Sequence, residues 1–256
     1  GVVLYWINPY IFSARLILYT ITELKIEYDV EKVIDLLKSG QGKVLTFSQS
    51  PRCKEFLTAI DELVNAGVGI NIYPLTDYKL PDENGNPTIP LTKNGVKALL
   101  KALLQTESGG HGCDPRNWGR GEYSFATFGI EYGKANDGTR SERKEKREKA
   151  YNILIREANK VYKDLPPSIQ NRINIDFNNI SAEEIRVGGK LDNPYLITAL
   201  VIKRLHRYKE LLIKQGSQSY SDNLIAILNV YKTGRPTAQH QAVADIITTV
   251  KKYNNG

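Results

Sequence analysis

The sequence predicts an α+β fold, a mainly helical domain with one small β-hairpin, preceded by a small α/β or mixed N-terminal region. Three observations carry this. From Thr92 onward apolar residues recur at helical spacing in one segment after another. That series is interrupted between Gly109 and Gly138 by a stretch with eight glycines and alternating aromatic residues, the pattern of a hairpin. Before residue 77, a helical segment stands between two short β-rich runs.

Taken in order, the opening "GVVLYWINPYIFSARLILYTI" is apolar but broken by Asn8, Pro9, Ser13 and Arg15, so it is expected to pack rather than to span a membrane. Asp29 to Gly42 has the spacing of a short amphipathic helix with a glycine stop, and "KVLTFSQ" after it alternates like a strand. Ser50 is placed to cap the next helix, Pro51 to open it and Gly67 to end it. "VGINIYPL" is then a second possible strand, and irregular connectors in a helical region are the alternative reading of both runs. "DYKLPDENGNPTIP" is dense in turn formers and sets the expected boundary: an N-terminal region 1–76 with no assigned role, a linker 77–90, and a domain 91–256. The later helices are expected over Thr92–Thr106, Arg140–Tyr162, Ser168–Asn178, Pro194–Lys214, Ser221–Tyr231 and Thr237–Tyr253.

At 256 residues and 41% apolar content the chain can bury a sizeable core. A net charge of +7 suits an anionic partner. The densest charge run, "RSERKEKREK", places Glu142 and Glu145 four residues before Lys146 and Lys149, which marks a solvated helix face rather than a nucleic-acid patch. Cys53 and Cys113 lack CxxC spacing, so two buried or free thiols are expected, with a single bridge as the alternative. His111, His206 and His240 are scattered without metal-ligand spacing, so neither a metal nor a cofactor is expected.

The chemistry-bearing stretch is "LLQTESGGHGCDPRNWGRGEYSFATFGI", Leu103 to Ile130. Val96, Leu99, Leu100, Leu103 and Leu104 form one apolar stripe, and Glu107, four residues after Leu103, projects from the same face at the helix end. Partial desolvation and the negative end of the helix dipole both favour a protonated acid there. Such an acid can protonate the leaving oxygen of a glycosidic bond. An inverting enzyme needs a second polar group about 6.5–9.5 Å across the cleft, and Asp114, Glu122 and Thr127 follow in the glycine-rich segment that could supply it. Tyr123, Tyr132 and Tyr231 are candidates to stack on sugar rings.

A helix ending in Glu, a hairpin with an acidic residue, and "TFGI" together resemble phage-type lysozymes and endolysins of the lysozyme superfamily. "ESGG", "FGI" and "AILNVYKTG" are also similar to boxes of the lytic transglycosylases, with Tyr231 on their tyrosine but Tyr132 and Lys232 in place of a glutamine and an asparagine. "WGRGEYSFATFGIEYG" is similar to the hairpin of chitosanases. The resemblance spans about Thr92 to Tyr253. It implies a lysozyme-like fold and a peptidoglycan glycosidase with Glu107 as general acid. It also implies Thr127 with Glu122, or else Asp114, at the attacking water, and no cofactor. The expected partner is peptidoglycan or a related amino-sugar polymer, with no nucleic acid and no integral membrane segment. The implied setting is the cell envelope, the secreted fraction, or a virion within a larger phage or envelope assembly. A non-catalytic glycan-binding or structural module on the same fold is the rival reading.

Overall fold

The computed structural model describes residues 9–114, 122–134, 139–180, 189–232 and 236–256; side chains are not described at 9–20, 122–126, 130–134, 140, 143, 147 and 236–238. Helix α1 (Pro9–Lys38) is followed by α2 (Pro51–Asn65), a hairpin of β1 (Lys79–Pro81) and β2 (Pro87–Pro90), and α3 (Lys93–Ser108). A second antiparallel hairpin, β3 (Glu122–Phe125) and β4 (Ile130–Lys134), encloses a 3-10 turn over Ala126–Phe128. Then come α4 (Arg140–Asp164), the single turn α5 (Pro167–Gln170), α6 (Pro194–Lys214), α7 (Leu224–Tyr231) and α8 (Pro236–Tyr253). The protein is therefore mainly helical with small two-stranded sheets. No described helix is long and apolar enough to cross a membrane.

Local chemistry explains the helix ends. Thr92 caps α3 by accepting from Gly95 N–H at 3.1 Å, and Asn254 of the C-terminal tail accepts from Thr92 N–H at 2.8 Å. Asn193 caps α6 by accepting from the N–H groups of Tyr195 and Leu196, with Pro194 at the first helical position. Gly67 ends α2 with φ +95°, which lets its N–H and that of Val68 reach back to the carbonyls of Val64 and Leu63. The apolar stripe of α3 is buried as its spacing requires.

Helix α3 packs between α8 and α2, and α6 packs on α2, α4 and α7. Their apolar faces form one core that runs from Val30 and Val33 of α1 to Val250 of α8. The stretch 77–90, expected as a linker, is a hairpin whose Tyr78 and Leu80 sit in that core, and the Tyr78 hydroxyl donates to Leu205 O at 2.5 Å. Residues on both sides of it share one set of contacts.

Several sequence expectations are corrected. "KVLTFSQ" forms no strand: three of its N–H groups are taken by side chains from distant helices, Lys43 by Asp245 at 2.9 Å, Leu45 by Thr249 at 2.9 Å and Ser48 by Gln105 at 2.7 Å. With donors satisfied in this way no partner strand is needed. "VGINIYPL" is a tight loop with an isolated bridge between Val68 and Ile72. The expected α/β element before residue 77 is thus a helix with irregular connectors. The helix expected over Ser168–Asn178 stops at Gln170, and Asp176 instead organises a turn by accepting from Asn178 N–H at 3.1 Å and the Asn179 amide at 2.7 Å. Cys53 and Cys113 form a disulfide rather than two thiols.

Candidate functional site

The candidate site is built where α3 ends. After Glu107 and Ser108 the chain enters a 3-10 turn over Gly109–His111 and reverses through Gly112 and Cys113, with φ of +66° and +60°. Cys113 N–H donates to Ser108 O at 2.9 Å, and the disulfide to Cys53 fastens this reversal to α2. The Ser108 hydroxyl donates to Thr127 O at 2.7 Å, so the last residue of α3 holds the turn inside the β3–β4 hairpin. Phe128 in that turn is buried edge-on against Phe56 of α2, with ring centroids 5.8 Å apart.

Gly129 follows with φ +69°, and a Cβ placed there would lie 2.5 Å from Glu107 Oε2. Only glycine lets the turn approach the carboxylate so closely. The other oxygen, Oε1, is ion-paired to the Lys232 ammonium, which also reaches the Thr106 hydroxyl at 3.4 Å. The Glu107 side chain is 10% exposed and that of Lys232 13%. Lys232 is the residue that caps the C-terminal end of α7. Next to it, the Tyr231 hydroxyl donates to the Phe128 carbonyl, and the Tyr231 ring meets Tyr208 of α6 edge-on at 6.3 Å. Burial pushes the Tyr208 hydroxyl up from its ordinary pKa, so it stays a neutral group at physiological pH.

Arg52 of α2 braces the other side. Its Nε donates to Cys113 O at 2.6 Å, its Nη2 to the Thr127 hydroxyl at 3.0 Å, and both terminal nitrogens to the Asp192 carboxylate at 3.0 and 2.8 Å. Such a two-pronged pair has a fixed geometry. It joins α2, the loop after α3, the hairpin turn and the segment before α6.

Glu107, Gly129, Tyr231 and Lys232 are thus brought together from three separate segments. Thr127 stands close by in the chain but is 1% exposed, and its hydroxyl serves Arg52 and, at 3.4 Å, the Cys113 carbonyl. Asp114 is half-buried one residue past the disulfide, its N–H donating to His111 O at 3.3 Å. Glu122, Tyr123 and Tyr132 lie on the hairpin strands, and their side chains fall outside the described residues. Sequence reasoning did not find the ion-pair partner Lys232 or the Arg52–Asp192 clamp. Lys232 had a signal in its position beside Tyr231, while Arg52 had none beyond adjacency to Cys53. A cavity of about 640 Å³ between α1 and His240 of α8 shares no residue with this site. Comparison with protein-family models, with curated proteins and with solved structures found no match to this chain.

Proposed function

We propose that the protein is a lysozyme-like glycosidase that cleaves the glycan strands of peptidoglycan or a related amino-sugar polymer, with Glu107 as the general acid. The observation that carries this reading is the seating of the Glu107 carboxylate at the end of α3. It lies against the hairpin glycine, beside Tyr231 and an ammonium, and is mostly withdrawn from water. From this position a carboxyl group that carries its proton can pass it to the glycosidic oxygen as the bond to the anomeric carbon breaks. The Cys53–Cys113 disulfide supports a place in the envelope, outside the cell or on a virion, since such bonds persist in oxidising surroundings.

A second route within this reading is favoured by the burial of Thr127. A hydroxyl committed to Arg52 and the Cys113 carbonyl is poorly placed to hold an attacking water. In the lytic transglycosylase route a hydroxyl of the substrate attacks the anomeric carbon and returns its proton to Glu107, leaving an anhydro sugar and needing no second carboxylate.

The test is turbidity loss of bacterial walls with wild type and Glu107→Gln, with mass analysis of the released fragments. Wild type should release glycan fragments and the variant should be slower by at least about 100-fold. Anhydro ends identify the substrate-hydroxyl route, and reducing ends identify hydrolysis. Wild type that binds walls without releasing fragments would establish the non-catalytic module instead.

A further inference from the structure

The Glu107–Lys232 pair contains a requirement that the proposed reaction must meet. Both side chains are about nine-tenths withdrawn from water. In the resting protein each neutralises the other. A general acid must carry its proton at the moment it acts, and a protonated Glu107 no longer offers Lys232 a negative partner. A desolvated ammonium without a counter-charge is costly, and the loss of one member of a buried pair is felt mainly through the charge left behind. The other described contact of the Lys232 ammonium is the neutral Thr106 hydroxyl. The carbonyl end of α3 contributes partial negative charge, about half an elementary charge for a helix end, which softens the penalty without replacing an anion.

Resting on the reading of Glu107 as the acid, we propose that Lys232 is a substrate-binding residue that takes up a carboxylate of the glycan strand beside the bond to be cleaved. The exchange is balanced in charge. As the strand's carboxylate replaces the Glu107 carboxylate at the ammonium, Glu107 takes a proton from solvent and is left as the neutral acid. Strands with a carboxylate at that sugar satisfy the site, and uncharged strands leave Lys232 unpaired. Lys232 therefore makes cleavage selective for acidic amino-sugar polymers over neutral ones, and places the protein on strands whose carboxyl groups have not been capped.

The experiment uses two probes: an amino-sugar oligomer with a free carboxylate on alternate sugars, and the same oligomer with those groups reduced to alcohols. Binding is measured by calorimetry for wild type, Glu107→Gln, and Glu107→Gln combined with Lys232→Met, with thermal melts of each. Glu107→Gln frees Lys232, so it should bind the carboxylated oligomer at least tenfold more tightly than wild type does. It should show no gain for the reduced oligomer, and the double variant should lose the gain. Equal affinity of Glu107→Gln for the two probes, or a gain that survives Lys232→Met, overturns the proposal. Cleavage supplies a second arm. Lys232→Met should lose the preference for the carboxylated oligomer, and a methionine variant that still cleaves the carboxylated oligomer in preference to the reduced one overturns the proposal. Absence of cleavage in wild type removes only the reading of Glu107 as an acid, because the binding arm decides Lys232 by itself.

Discussion

Breaking the Cys53–Cys113 bond should cost about 4 kcal/mol. The two cysteines are 60 residues apart, and the entropy that a cross-link of this span removes from the unfolded chain is about 14 cal/mol/K. That corresponds to about 4 kcal/mol at 25 °C, against a total stability of roughly 5–15 kcal/mol for a folded domain. At roughly 2–4 °C per kcal/mol for a chain of this size, the melting temperature should fall by roughly 8–16 °C. Because Arg52 adjoins Cys53 and donates to the Cys113 carbonyl, the loosening should concentrate where α3 ends and lower wall lysis at temperatures well below the melt. The assay compares urea unfolding of oxidised wild type, reduced wild type and the Cys53→Ala, Cys113→Ala double variant. The last two should agree with each other and differ from the first by the stated amount. A double variant within about 1 kcal/mol of oxidised wild type would refute the view that this bond holds α2 to the site.

Gly129→Ala should cost about 1–2 kcal/mol for a Cβ at positive φ, and should lose far more activity than stability because the new methyl displaces the Glu107 carboxylate; melting and wall-lysis rates measured together check this. In a double-mutant cycle, Glu107→Gln and Lys232→Met should show a coupling of about 1–3 kcal/mol, and denaturant unfolding of the four proteins measures it. Burial, offset in part by the Lys209 N–H, raises the Tyr78 pKa above that of an unfolded tyrosine. The folded chain therefore keeps a proton that the unfolded chain loses, so this contribution to stability is intact below about pH 10 and falls by about 1.4 kcal/mol per pH unit above it. Tyr78→Phe should make the alkaline decline in melting temperature shallower, and an unchanged slope would contradict the assignment.

Much of the helical part was legible because its signals are local. Helix α6 runs from Pro194 to Lys214 as its spacing predicts, since Asn193, Pro194 and the apolar repeat act within one segment. Helix α3 is legible for the same reason, down to the burial of Leu99, Leu100, Leu103 and Leu104. The N-terminal connectors were misread because alternation in "KVLTFSQ" reflects an extended chain laid on α3 and α8 rather than a sheet. Its backbone is satisfied by Gln105, Asp245 and Thr249, and the last two lie about two hundred residues away, where no local pattern can announce them. The disulfide was underrated for a related reason: Cys53 and Cys113 meet only because α2 packs on α3.

The candidate site divides along the same line. Glu107 at a helix end and Gly129 in a hairpin turn were readable from one continuous stretch, but what surrounds them was not. A carboxylate at the C-terminal end of α3 meets partial negative charge from its own helix. The Lys232 ammonium, placed against Glu107 and Thr106 in the last turn of α3, answers the helix end and the carboxylate at once, which gives Lys232 a reason to be where it is. Arg52 performs the matching task for the far wall, where the Cys113 and Thr127 oxygens and the Asp192 carboxylate converge on one guanidinium. Since Arg52 and Cys53 both belong to α2, the region before residue 77 is part of what fixes the site. Removing it would strip the hairpin turn of its Arg52 clamp and the loop after α3 of its disulfide anchor, the two contacts that tie the end of α3 to α2.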